Sequence, residues 1–276
     1  MGAAGEKAVK LDWEQSRAPL PAHLRSTILR MDGSLQQAAD VLNKAKHITV
    51  LTGAGVSKES GIPTFRDAMT GLWANYDPEK LATPEGFLND PPLVWQWYDF
   101  RRNMVAQAEP NAGHYALAEL AKKRRVDLIT QNVDGLHAKA GSKDIIELHG
   151  NITRFMCFDR HHPIDDVPSG LPAPPTCPRC QSPIRPSVVW FGEALPPGAL
   201  EKASNLASEC DAMIVVGTSG LVHPAASLPF VVKRHGGTVI EVNPDVTAIT
   251  NTADVFLRGQ SGQILPSLIS LVEASA

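Results

Sequence analysis

From residue 35 onward the chain alternates two hydrophobic patterns. "LQQAADVLNKA" (35–45), "HYALAELAKKR" (114–124), "ALEKASNLASEC" (199–210), "AASLPFVVKRHG" (225–236) and "ILPSLISLVEA" (264–274) carry apolar residues at helical spacing. Between them, "HITVLTGAG", "VDLITQN", "IIELHG", "AMIVVGTSG", "GTVIEVNP" and "DVFLRG" are short apolar runs that end in turn residues, the pattern of strands buried on both faces. Helices alternating with such strands predict an α/β domain built on a doubly wound parallel sheet of the Rossmann-like kind. Ligands of that architecture lie at the carboxyl ends of the strands.

The rhythm fails in two places. Residues 1–34 mix proline, charge and scattered apolar positions and read as an N-terminal extension without assigned function. Residues 153–186 are proline-rich, lack apolar periodicity and read as a small inserted module, so the main domain comprises 35–152 and 187–276. A length of 276 residues accommodates this division. The formal net charge of -3 provides no global attraction to nucleic acid or an anionic membrane, so neither is expected as a partner, and an acidic ligand would need local recognition. No apolar run approaches membrane-spanning length, and the N-terminus lacks a signal-like apolar region. Three of the four cysteines cluster at 157, 177 and 180, which suits a metal site in a reducing, cytoplasmic setting better than a disulfide framework.

The first strand runs into "TGAGVSKESGIPTFRD". Gly53 and Gly55 allow close backbone approach to a ligand, and the following turn can aim amides at a diphosphate, although the spacing misses G-x-G-x-x-G. "TQNVDGLH" places Gln131, Asn132 and Asp134 at a second strand end, and "ELHG" places His149, which can take a proton near neutral pH, at a third. The strand ends "GTS" (217–219) and "VNP" (242–244) add small polar groups suited to a ribose and an adenine.

These segments, together with "PNAGH" (110–114) and "VVWFGE" (188–193), occur in an order that resembles the sirtuins, NAD-dependent protein lysine deacylases. The resemblance implies that Gly53, Ala54, Gly55, Ser57, Phe65 and Arg66 line the diphosphate and nicotinamide site of NAD, which is consumed as a co-substrate. It places Gln131 on the ribose, Asn132 and Asp134 by the nicotinamide, and Gly217, Thr218, Ser219, Asn243 and Ser261 on the adenosine side. His149 is the implied base, with Asn132 beside it at the catalytic centre. Val188, Val189, Trp190, Phe191, Gly192 and Glu193 are implied to pair with an acyl-lysine protein or peptide as an added strand. In the family chemistry the acyl oxygen attacks the ribose carbon bearing nicotinamide, and the acyl group leaves as an O-acyl-ADP-ribose. The same framework admits a plain deacetylase, a protein ADP-ribosyltransferase or a non-catalytic NAD-binding module.

Two features individualise this chain. The family's inserted module holds zinc through two C-x2-C pairs, whereas here Cys157, Cys177 and Cys180 are joined by Arg160 where a fourth cysteine is expected. His161 or His162 could complete the set; otherwise the module is a degenerate zinc ribbon with a weak metal site, or is metal-free. The second feature is "VWQWYDFRR" (94–102), in which Tyr98 and Arg101 share a helical face, Trp95 is expected on the same side, and Arg102 points elsewhere. Y-x-x-R resembles the acyl-pocket signature of the sirtuin class selective for acidic acyl groups, with Ala82 as the small residue that widens the pocket. Arg101 and Tyr98 are then expected to bind the carboxylate of a succinyl, malonyl or glutaryl tail.

Overall fold

A computed structural model describes residues 22–64, 77 and 81–274. Helix α1 (Ala22–Lys44) leads into β1 (Ile48–Thr52) and a 3-10 turn (Ala54–Ser60). Then come α2 (Pro84–Asn89), α3 (Pro91–Gln107), α4 (Ala112–Lys123), β2 (Val126–Thr130), a one-turn α5 (Leu136–Lys139) and a two-residue β3 (Ile146–Glu147). Strands β4 (Gly150–Cys157), β5 (Pro163–Ile164) and β6 (Ile184–Val188) form a separate antiparallel sheet in the order β5-β4-β6. The chain closes with α6 (Ala199–Glu209), β7 (Ala212–Val216), α7 (Leu228–Arg234), β8 (Thr238–Asn243), β9 (Val255–Arg258) and α8 (Ser261–Ser270).

The large sheet is parallel throughout, in the order β3-β2-β1-β7-β8-β9. Strand order therefore reverses between β1 and β7, which creates the crevice where such folds bind ligands. Both β1 and β7 are buried at every position; β7 is apolar throughout, and β1 interrupts its apolar run only with Thr49 and Thr52. Leu42, Leu117, Leu120 and Leu265 pack on one face of the sheet, and Ala203, Leu228, Val231 and Val232 on the other.

The observed elements cross the limits read from sequence. Helix α1 runs through residue 34, and the small sheet extends beyond 153 and 186 at both ends, because β4 begins at Gly150 and β6 continues to Val188. Proline-rich composition marks the loops of this module and conceals the strands that anchor it. Helix α3 bridges the two parts: Trp97, Tyr98 and Val105 pack with Ile152, Val188 and Trp190 near the crevice, while Trp95 packs with Cys157, Cys177 and Ile184 in the module. Asp90 caps this helix through Leu93 N, and prolines occupy its first turn, where missing amides cost nothing.

Candidate functional site

A cavity of about 1430 Å³ opens at the carboxyl ends of β1, β2, β7 and β8. Gly53, Ala54, Gly55 and Ser57 line it after β1, Gln131, Asn132 and Asp134 after β2, and His149 beyond β3. Gly217, Thr218 and Ser219 enter after β7, with Asn243 at the end of β8 and Ser261 at the start of α8. Ala82, Tyr98, Arg101 and the run Val188, Val189, Trp190, Phe191, Gly192 and Glu193 complete the opposite wall. Phe65 and Arg66 lie outside the described residues.

The glycines have a more local cause than ligand approach. A side chain at Gly53 would meet Thr218 Cβ at 2.7 Å, and one at Gly55 would meet the Gly217 carbonyl oxygen at 2.7 Å. Gly55 N donates to that carbonyl at 2.8 Å, and Gly217 has φ +60°. Two strand-end turns thus touch backbone to backbone across the point where strand order reverses, and glycine is required for the contact itself.

Beneath the cavity the polar side chains form one connected network. Ser57 Oγ donates to Asp134 Oδ2 at 2.7 Å and accepts from Asn132 Nδ2 at 3.2 Å. His114 Nδ1 accepts from Asn111 N at 3.3 Å, which leaves its Nε2–H to face Ser57 Oγ at 3.4 Å. The His137 ring lies 4.8 Å from that of His114, and its Nε2 is 3.0 Å from Thr52 Oγ1. Burial pushes His137 down to about 3, with His114 adding to the effect, so its imidazole stays neutral. His114 and His137 end the segments "PNAGH" and "TQNVDGLH", and a histidine within the apolar stretch "NAGHYALAEL" is the sequence signal for such a buried group.

His149 Nδ1 donates to the Gln131 carbonyl at 2.9 Å. This fixes the tautomer and leaves Nε2 as the proton acceptor. Burial lowers its pKa below the ordinary value of 6.5, against an opposing contribution from that backbone hydrogen bond. Gln131 Nε2 donates to Thr218 Oγ1 at 3.0 Å, and Asn243 Nδ2 to the Thr218 carbonyl at 2.9 Å, which tie three strand ends together.

On that opposite wall, the Arg101 guanidinium lies 4.9 Å from the centre of the Trp97 ring and 5.9 Å from that of Tyr98. Burial lowers the Arg101 pKa from its usual value, while Tyr98 and Asp134 act in the other direction. Trp95, expected beside Tyr98, faces away: its Nε1 donates to the Leu171 carbonyl at 3.0 Å and its ring carries Arg102. Glu193 directs its carboxylate inward to Arg185 and to Trp190 N.

The module gathers a second cluster. Ligand atoms of Cys157, His162 and Cys177 lie within 4.8 Å of one another, with Cys177 Sγ 3.3 Å from His162 Nε2 and Cys157 Sγ 3.4 Å from Cys180 Sγ. These separations approach the roughly 3.7 Å edge of a tetrahedron with zinc–sulfur bonds near 2.3 Å. Arg160, which stands where a fourth cysteine is expected, and His161 are both exposed: the β4–β5 turn carries them out to solvent and returns His162 beside Cys157. The donor set suits zinc.

The model of the Sir2 family matches residues 53–224. An NAD-dependent protein deacylase of Methylococcus capsulatus is 51% identical over 244 residues, covering 85% of this chain and 95% of the relative. One from Pyrococcus abyssi is 50% identical over 243 residues, covering 84% and 96%. Among solved structures, a Sir2 homologue in complex with NAD superposes with a TM-score of 0.81 at 46% identity, covering 85% of this chain and 92% of that one. Among the described residues no helix is long and apolar enough to cross a membrane.

Proposed function

The chain belongs to the Sir2 family, and on that premise we propose that it is an NAD-dependent protein-lysine deacylase that removes succinyl, malonyl or glutaryl groups in preference to acetyl. The observation that carries the preference is the placement of Arg101 and Tyr98 together on the cavity wall, with the guanidinium held against aromatic rings. A cation withdrawn from water is stabilised by an anionic ligand. A terminal carboxylate provides that anion and can accept from the guanidinium fork and the phenol together. Burial pushes Tyr98 up to about 12, so the phenol keeps its proton and remains a donor.

NAD supplies the ribose acceptor for the acyl group and nicotinamide as the leaving group. The turn 53–57 and the strand ends 131–134, 217–219 and 243, with Ser261, form its binding surface. His149, neutral and with Nε2 open to accept, is the base that takes a ribose hydroxyl proton, and Asn132, anchored on Ser57, orients the reacting centre. Residues 188–193 offer an edge for the acyl-lysine peptide, with Glu193 contributing through its backbone. Cys157, His162, Cys177 and Cys180 would hold a structural zinc, which supplies a crosslink to the module and no catalytic step.

Acetylated, succinylated, malonylated and glutarylated forms of one peptide, assayed with NAD, test the reading. The expected result is a higher kcat/KM for the acidic acyl groups. Equal or greater efficiency on acetyl-lysine would remove the preference and leave the deacylase assignment standing.

A further inference from the structure

Tyr98 is one side of a hydrogen bond whose direction chemistry decides. An indole N–H can donate and cannot accept. Trp190 Nε1 lies 2.8 Å from Tyr98 Oη, so the phenol oxygen must accept there, and its own hydrogen is directed away from the indole. Tyr98 is 2% exposed and lines the cavity, which is where that hydrogen can find an acceptor from a bound acyl group.

The indole is itself held in one orientation. Trp190 N donates to Glu193 Oε2 at 2.8 Å. Arg185, fully buried, places its guanidinium 3.3 Å from the centre of the Trp190 ring, pairs with Glu193, and donates to the Val188 carbonyl at 2.7 Å. The centre of the Phe87 ring packs 5.3 Å from that of Trp190. The ion pair therefore fixes the ring, the ring fixes the phenol, and the phenol presents a proton.

We propose that Trp190 is a positioning residue that sets Tyr98 as a hydrogen-bond donor to the acyl group, so that the pocket selects a terminal carboxylate by hydrogen-bond polarity as well as by the charge of Arg101. The proposal rests on the acidic-acyl reading above. A carboxylate oxygen accepts the phenol hydrogen, whereas the methyl group of an acetyl substrate offers no acceptor at that depth. Without the indole donor the hydroxyl can rotate among its alternatives, and the donor is no longer set in advance.

The test measures kcat and KM for succinylated and acetylated versions of one peptide, with NAD saturating. The proteins are the wild type, Trp190→Phe, Tyr98→Phe and the double variant, with thermal melts to establish folding. Trp190→Phe is expected to raise KM for the succinyl peptide about three- to tenfold, the worth of one hydrogen bond, with a smaller change in kcat. The succinyl-to-acetyl ratio of kcat/KM falls accordingly, and in the Tyr98→Phe background the substitution no longer moves that ratio. If Trp190→Phe melts early, replacing Trp190 with 3-benzothienylalanine keeps the bicyclic ring and removes the N–H, and the same ratios are read. Equal losses on both substrates, or an equally large effect in the Tyr98→Phe background, would overturn the positioning role. A wild type without succinyl preference overturns the acidic-acyl reading and this proposal with it. A wild type that prefers succinyl, and keeps its preference without the indole N–H, overturns this proposal alone.

Discussion

Arg101 and Arg102 are neighbours in sequence and serve opposite sides of helix α3. The Arg101 guanidinium lies over Trp97 and lines the cavity. That of Arg102 lies 4.9 Å from the centre of the Trp95 ring and 4.7 Å from that of Phe155, and donates to Asp99 at 2.8 Å. One helix thus gives one arginine to the cavity and one to the joint with the inserted module.

Arg101→Met and Arg102→Met should therefore fail in different ways. The first keeps an unbranched apolar stem and removes the fork; it should lower the succinyl-to-acetyl ratio of kcat/KM by about one to three orders of magnitude. The second should leave Asp99 without its half-buried partner and cost about 1–3 kcal/mol of stability. Steady-state kinetics on paired peptides and denaturant melts read the two effects. An Arg101→Met that loses both activities in equal proportion would show that Arg101 serves the fold or the peptide in general.

His149 should impose an acid limb on activity that lies below the ordinary histidine range. The neutral imidazole is the active form, and burial lowers its pKa, so the base survives to lower pH than a solvent-exposed histidine would. A kcat/KM profile that falls only below pH 6.5 is expected. His149→Ala should reduce acyl transfer by about 10²–10⁴-fold, the usual contribution of a general base. An acid limb centred above 6.5 would contradict the role of burial.

The parallel sheet was legible because its strands are buried on both faces and so read as unbroken apolar runs, β7 being the clearest case. The strand-end residues of the cavity followed from that reading together with the family motifs. Trp95 was misplaced by a geometric shortcut. Three residues rotate about 300°, which leaves Trp95 about 60° from Tyr98, whereas seven residues bring it within about 20° of Arg102, whose guanidinium it carries. The reason for Gly53 was also hidden, since it depends on a turn that arrives more than 160 residues later at Gly217. Arg185 gave no signal at all: a charged residue in a proline-rich stretch reads as surface, and only tertiary pairing with Glu193 explains why it is fully buried.

His137 should make the fold sensitive to acid. Its pKa falls from 6.5 in the unfolded chain to about 3 in the native state. Between those values the unfolded chain binds a proton that the folded one excludes, so stability is complete above pH 6.5 and declines as pH falls toward 3. The slope from this one group approaches roughly 1.4 kcal/mol per pH unit. Melts of wild type and His137→Gln at pH 7 and pH 4.5 separate it from titrating carboxylates: the variant should lose less stability over that interval, and identical losses would rule out the histidine as the source.

In the module, where the sequence suggests an incomplete shell, the structure assembles three sulfurs with His162. Purified protein should carry one zinc per chain. His162→Ala should lose the metal and lower thermal stability, whereas His161→Ala, whose side chain is exposed, should retain it. The consequence reaches the cavity wall through covalent continuity: β6 carries Ile184 against the cysteines and Arg185 against Trp190, so loosening the cluster frees a strand that also holds the indole. Chelation should accordingly expose Trp190, seen as a red shift of tryptophan emission that Trp190→Phe diminishes. A chain that is metal-free as purified would mean that the three sulfurs and the imidazole converge without serving as a metal site, and zinc held equally well after His162→Ala would remove His162 from the ligand set.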